Sequence, residues 1–62
     1  MLWFTWSAWF SHPKKKPKEF STSGAVSSEQ EAITRCIELR GTIEGKGWYM
    51  MEGTEAFTIN EV

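Results

Sequence analysis

The sequence predicts one small α+β domain spanning residues 1–62, in which a single α-helix at about residues 28–40 packs on one face of an antiparallel β-sheet. The sheet has three or four strands in the order β-(β)-α-β-β, and the second strand has the weakest pattern. Three observations support this fold class. Residues 1–10 alternate in polarity, residues 28–40 carry helix-capping signals around an apolar stripe, and residues 42–62 contain two strand-like runs around Gly53.

Residues 1–10 form the first predicted strand because their side chains alternate with a period of two. One face collects Leu2, Phe4, Trp6, Ala8 and Phe10, and the other collects Trp3, Thr5, Ser7 and Trp9. A helix is the competing interpretation, since it would also gather most of the large side chains on one stripe. The strand is favoured because the run has no helix cap and few strong helix formers.

Two prolines interrupt the chain after this strand. Pro13 and Pro17 fix φ and remove backbone donors, so we expect residues 12–18 to form a loop or an irregular hairpin end. Residues 19–23 can then return as a short strand, which Gly24 ends.

The helix has the clearest local signals. Ser28 and Glu31 have the spacing of a capping box, in which each side chain bonds the other residue's free backbone N–H. Glu31 and Arg35 are spaced for an ion pair one helical turn apart. Gly41 suits a C-terminal cap. The apolar stripe consists of Ala32, Ile33, Cys36, Ile37 and Leu39.

Two further strands are predicted over residues 42–51 and 54–62. Glu52 and Gly53 between them suit the turn of a β-hairpin, since glycine tolerates positive φ. That turn would place Trp48 opposite Phe57 and Tyr49 opposite Ala56.

The composition argues against catalysis, metal binding and cofactor binding. One cysteine and one histidine permit neither an internal disulfide nor a zinc site. Cys36 lies within the apolar stripe, where a thiol is usually an inert core residue. No nucleophile–base pair and no phosphate-binding loop can be recognised. We therefore expect a protein that is not an enzyme.

The apolar segment at residues 1–10 raises the question of targeting. The lysines come after this apolar run, whereas in a secretory signal the positive charges come before it. The run is also only half as long as a membrane-spanning helix. An interfacial lipid anchor using Trp3, Trp6 and Trp9 remains an alternative, although we do not expect a membrane partner. The lone cysteine favours a cytoplasmic location.

The charges are unevenly distributed. A basic cluster near the N-terminus consists of Lys14, Lys15, Lys16 and Lys18, whereas seven of the eight glutamates lie after residue 28. Such a cluster can bind nucleic acid, with bases stacking on Trp3 and Trp9, or an acidic protein surface. The alternative is a solvated loop that only maintains solubility.

The aromatic residues outnumber what so small a domain can enclose, since 62 residues include four tryptophans, four phenylalanines and one tyrosine. We expect the sheet face away from the helix to expose some of Trp3, Trp9, Tyr49 and Met51, which are the candidate partner-binding residues because exposed aromatic and methionine clusters are typical of protein interfaces. The leading hypothesis is a non-catalytic adaptor or inhibitor that binds a larger, unidentified protein through this face or a sheet edge. Nucleic-acid binding through the basic cluster is the second hypothesis, and a membrane-surface peptide anchored by Trp3, Trp6 and Trp9 is the third. The alternative for the aromatic face is that its side chains complete the core or are buried in a homodimer.

Overall fold

The computed structural model describes all residues from Met1 to Val62. It contains a four-stranded antiparallel sheet with one helix packed against it, which confirms the predicted α+β class. In chain order the elements are β1 (Leu2–His12), β2 (Lys15–Val26), α1 (Glu29–Glu44), β3 (Tyr49–Met50) and β4 (Ala56–Glu61).

Strand β1 is the centre of the sheet. Along one side it pairs with β2, from Leu2 opposite Val26 to Phe10 opposite Lys18. Its other side is shared: β4 pairs with residues 2–7, and β3 pairs with Phe10 and Ser11. Because both sides of β1 are paired, its backbone donors and acceptors have partners along almost the whole strand.

Strand β2 is longer than the sequence indicated. Of the two alternatives for residues 12–18, the structure has the irregular hairpin end: Pro13 and Lys14 form the turn, the register shifts between Phe10 and His12, and the chain is extended from Lys15 onward. Pro17 is tolerated because β2 is an edge strand, where a missing donor does not break the sheet. Gly24 lies within the strand and does not end it.

The start of α1 follows the prediction in part. Ser28 is the N-cap, and its Oγ accepts from the Glu31 N–H at 3.2 Å. The reciprocal bond differs: Glu31 Oε1 accepts from the backbone N–H of Ser27 at 2.9 Å and from its hydroxyl at 2.8 Å. The predicted ion pair between Glu31 and Arg35 is present at 3.2 Å. Two neighbouring serines thus divide the capping function between them.

The predicted end of the helix at residue 40 is wrong. The helix continues through Gly41 to Glu44, which buries Ile43 at 4% exposure. It ends where Gly45 donates its N–H to the Gly41 carbonyl and Gly47 adopts a φ of 95°. Burial of Ile43 outweighs the low helix propensity of Gly41.

The predicted C-terminal hairpin does not form, because β3 and β4 both pair with β1. A turn does occur at Glu52 and Gly53, where Thr54 N–H donates to the Met51 carbonyl at 3.3 Å. That turn carries the chain further along the same side of β1. Trp48 therefore does not face Phe57.

One aromatic layer between the sheet and α1 forms the core. Phe10 contacts Phe20 with ring centroids 5.3 Å apart, and Phe20 contacts Trp48 at 5.2 Å. The nine buried residues are Phe4, Trp6, Ala8, Phe10, Val26, Ala32, Cys36, Ile43 and Trp48. The radius of gyration is 12.4 Å, against about 10.6 Å for a compact domain of this length. The molecule is therefore elongated, with extents of 40 × 18 × 15 Å. Its single helix covers one side of the sheet and leaves the other side without a covering layer.

Candidate protein-binding surface

We call the sheet face opposite α1 the open face. It carries the second set of alternating β1 side chains together with their cross-strand neighbours, since paired residues share a face. Its β1 residues are Trp3, Thr5, Ser7, Trp9 and Ser11; its β2 residues are Glu19, Ser21, Ser23 and Ala25; and Tyr49, Ala56, Thr58 and Asn60 complete it. No element of the chain covers this face.

All four residues predicted from the sequence to bind a partner are exposed. The exposed fractions are 43% for Trp3, 44% for Trp9, 66% for Tyr49 and 39% for Met51. Tyr49 pairs with Ser11, two residues from Trp9, and the Met51 N–H donates to the Trp9 carbonyl at 2.8 Å. The structure thus brings three of the four together, while Trp3 lies six residues along β1, about 20 Å away.

The Trp9 end of the open face is held by Thr54, which the sequence did not single out. Thr54 Oγ1 accepts from the Trp9 N–H at 3.0 Å and donates to the Met51 carbonyl at 2.7 Å. These bonds join the turn at Glu52–Gly53 to the central strand. They fix the backbone on which Trp9 and Met51 are presented.

Between the two tryptophans the open face is polar but nearly uncharged. The hydroxyls of Thr5 and Thr58 are hydrogen-bonded across the strands. A shallow depression of about 390 Å³ is lined by Thr5, Trp6, Ser7, Ser21, Thr22, Ser23 and Ala56. Hydroxyl groups can exchange hydrogen bonds with a docked surface, but they supply no acid or base near neutral pH.

The predicted basic cluster is split by the fold. Lys15 Nζ lies 5.8 Å from the Trp48 ring centre and Lys18 Nζ lies 5.1 Å from that of Phe20. Those rings belong to the helix side of the sheet, so these two lysines point away from Trp3 and Trp9. None of the four lysines forms an ion pair. The structure therefore does not combine Lys15 and Lys18 with the exposed indoles in one site.

A second apolar surface, which the sequence did not reveal, lies between α1 and β4; we call it the side groove. It arises because α1 packs on β1 and β2 and leaves the inner side of β4 partly uncovered. Ile37 is 64% exposed and Phe57 38% exposed. The groove has a volume of about 190 Å³ and is lined by Trp6, Ile33, Cys36, Ile37, Arg40, Glu55 and Phe57.

The reactive side chains have separate surroundings. Burial, and then the nearby Glu55 carboxylate, raise the pKa of the Cys36 thiol above its usual value of 9.0. The His12 ring packs edge-on against Trp48, with ring centroids 5.0 Å apart, and the Nδ1 of His12 accepts from the Lys14 N–H at 3.0 Å. No three His, Cys, Asp or Glu side chains lie close enough together to hold a metal ion. That the protein is not an enzyme stays a prediction.

Comparison of the chain with protein-family models, curated proteins and solved structures found no match. The only helix, α1, is too short and too polar to cross a membrane.

Proposed function

We propose that this protein is a non-catalytic binding module, an adaptor or inhibitor that docks its open face on a larger protein and modulates that protein's activity. One observation carries the proposal: Trp3 and Trp9, each more than two-fifths exposed, flank an almost uncharged sheet face that nothing in the chain covers. The absence of a disulfide partner for Cys36 favours a cytoplasmic site of action.

The energetic reason lies in the indole rings. A tryptophan can bury about 150–250 Å² and keeps few rotatable bonds, so its burial at an interface costs little conformational entropy. Tryptophan and tyrosine are also the residues that most often dominate binding energy. In the isolated chain, Trp9 and Tyr49 contribute only part of this area to folding, and the remainder stays available to a partner.

The size of the open face supports a modest interface. It extends about 36 Å along the 11 residues of β1 and about 14 Å across three strands, which gives about 500 Å². Weak and transient complexes bury up to about 600 Å² on each partner. A regulator that binds reversibly fits this size better than a permanent subunit does.

The test is affinity capture from extracts of the source organism with three forms of the protein. The wild type should retain one stoichiometric partner, and the double variant Trp3→Ala/Trp9→Ala should lose it. Ile37→Ala, which removes an exposed apolar side chain on the opposite side of the sheet, is the matched control and should retain the partner. Far-UV circular dichroism must show that all three are folded.

The captured protein is then purified and mixed with the wild type, and the mixture is analysed by size-exclusion chromatography. A 1:1 complex that the double variant fails to form supports the proposal. Equal binding by the wild type and the double variant contradicts it. A mass of 14 kDa for the protein alone would favour a homodimer instead, since one chain has a mass of 7.1 kDa.

Nucleic-acid binding is the second candidate, favoured by one observation: Lys14, Lys15, Lys16 and Lys18 lie within five residues at one end of the molecule without carboxylate partners. Lysine–phosphate contacts weaken steeply with salt. A gel shift with single-stranded and double-stranded DNA and RNA at low salt should show binding that the four-alanine variant loses. Absence of any shift by the wild type excludes this candidate.

A further inference from the structure

The hydrogen bonds of Trp9 show which backbone groups on the two outer strands of the sheet are unpaired. Its carbonyl accepts from Met51 N–H and its N–H donates to Thr54, so the Trp9 backbone faces the β3–β4 side. Backbone groups of successive residues point to alternate sides of a strand. Odd-numbered residues of β1 therefore bond to β4, and even-numbered residues bond to β2.

This alternation shows which backbone N–H and C=O groups of β4 have no partner. Ala56, Thr58 and Asn60 pair with odd-numbered β1 residues and turn their backbone groups inward. The hydrogen bond from the Val62 N–H to the Met1 carbonyl, 2.9 Å long, follows the same alternation, since an even-numbered residue again bonds to an odd-numbered residue, here the one just before β1. The N–H and C=O groups of Phe57 and Ile59 consequently face outward, where no strand pairs with them.

The opposite edge of the sheet is protected. On β2, Lys18 pairs with Phe10 and turns inward, so Pro17 faces outward and presents no N–H. Lys15, Lys16 and Lys18 add charge around it. Proline and lysine are the residues that natural sheets use to prevent pairing at an edge. Strand β4 contains neither, so its edge is open to an added strand.

The side chains next to this open edge form a regular row. Phe57 and Ile59 pair with the buried Trp6 and Phe4, so they lie on the helix side of the sheet. Glu55 lies on the same side, because its carboxylate accepts from Trp6 Nε1 at 2.9 Å. Glu61, opposite Leu2, ends the row. The order along the edge is therefore acidic, apolar, apolar, acidic at every second residue, and the side groove lies beside Phe57.

We propose that the edge of β4 binds an extended segment of a partner protein with the complementary order: basic, apolar, apolar, basic at alternate positions. The added strand would bond to the outward groups of Phe57 and Ile59. One apolar side chain would enter the side groove, whose 190 Å³ suits a single such side chain. The basic side chains would face Glu55 and Glu61. This proposal rests on the proposed function and names the chemistry of the partner's contact segment.

Charge selects a basic partner over a second copy of the chain. No lysine or arginine follows Lys46, whereas Glu52, Glu55 and Glu61 do. Two antiparallel copies of β4 with Phe57 opposite Ile59 would place Glu55 opposite Glu61, and like charges in that position destabilise a pair of strands. Glu61 also contacts the N-terminal amino group at 3.4 Å, but both groups are exposed and the pair is weak.

The test is a titration of ¹⁵N-labelled protein with two blocked peptides, followed by NMR. The first peptide is Lys-Thr-Val-Thr-Val-Thr-Lys, and the second replaces both lysines with glutamate. The first should shift the amide signals of Phe57 and Ile59 and leave those of Ser21 and Ser23 on β2 unchanged. The second should bind about tenfold more weakly, since two cross-strand charge pairs change from attraction to repulsion.

The variant Glu61→Lys should reduce the difference between the two peptides, because it reverses one of the two pairs. Equal binding of both peptides to the wild type, shifts centred on β2, or no shift at millimolar peptide would each overturn the proposal. The double variant Trp3→Ala/Trp9→Ala should bind the first peptide normally. Failure of the β4 edge is thus separable from failure of the open face, which only the capture experiment tests.

Discussion

The hydrogen bond between Trp6 and Glu55 is expected to hold the start of β4 against the core. Trp6 is only 2% exposed, and its Nε1–H donates to Glu55 Oε2 at 2.9 Å across 49 residues of sequence. Glu55→Ala leaves the indole N–H without a partner, which costs about 1–2 kcal/mol. Glu55→Gln retains an acceptor and should cost less.

Trp6→Phe removes the donor and part of a buried ring. The lost ring area of about 50 Å² corresponds to about 1.3 kcal/mol, to which the hydrogen bond and the small cavity add about 1 kcal/mol. A domain of 62 residues has a total stability of about 3–9 kcal/mol. Both single variants should therefore be destabilised but still fold at low temperature.

The interaction itself is measured by a double-mutant cycle. Urea unfolding of the wild type, Trp6→Phe, Glu55→Ala and the double variant should be followed by far-UV circular dichroism, because fluorescence changes when Trp6 is replaced. The double variant should be about 1 kcal/mol more stable than the sum of the single effects implies. Additive effects within about 0.3 kcal/mol would refute the bond and the role of Glu55 in positioning β4.

Four further predictions concern the helix, the thiol and the turn. Ser28→Ala should cost about 1 kcal/mol in urea unfolding, because Glu31 N–H loses its acceptor; an unchanged midpoint would contradict the cap. The backbone N–H and hydroxyl of Ser27, together with Arg35, lower the pKa of Glu31 below 4.5, so its contribution to stability is present above that pH and is lost as the pH falls through the folded-state value. The melting temperature of Glu31→Gln should accordingly depend less on pH between 5 and 3 than that of the wild type, and parallel curves would contradict this. Cys36 should react with iodoacetamide at pH 8 far more slowly than a cysteine peptide does, because burial raises its pKa; equal rates would show that the thiol is accessible. Gly53→Ala should destabilise the fold by about 1 kcal/mol, since Gly53 has a φ of 80°, and no loss would argue against this turn.

The parts of the fold that local signals determine were predicted from the sequence. The alternation of residues 1–10 gave the two faces of β1 correctly, because side-chain direction in a strand depends only on sequence position. The cap at Ser28 was found for a similar reason, since it needs only neighbouring residues. The exposure of Trp3 and Trp9 follows from the same alternation.

The remaining parts depend on tertiary contacts and were not predicted. Gly41 has the residue type of a helix end, but burial of Ile43 two residues later extends the helix. The turn at Gly53 has the sequence of a hairpin, but β3 and β4 both pair with the second side of β1, whose backbone groups need partners, and not with each other. The side groove depends on where α1 lies across the sheet, which no local pattern encodes.

The proposal that the partner binds the open face is tested most directly by hydroxyl-radical labelling of the protein alone and in its purified complex. Oxidation of Trp3, Trp9, Tyr49 and Met51 should be extensive in the free protein, because all four are exposed, and should fall sharply in the complex. Unchanged oxidation of Trp3 and Trp9 in a stoichiometric complex would show that the partner binds elsewhere on the molecule.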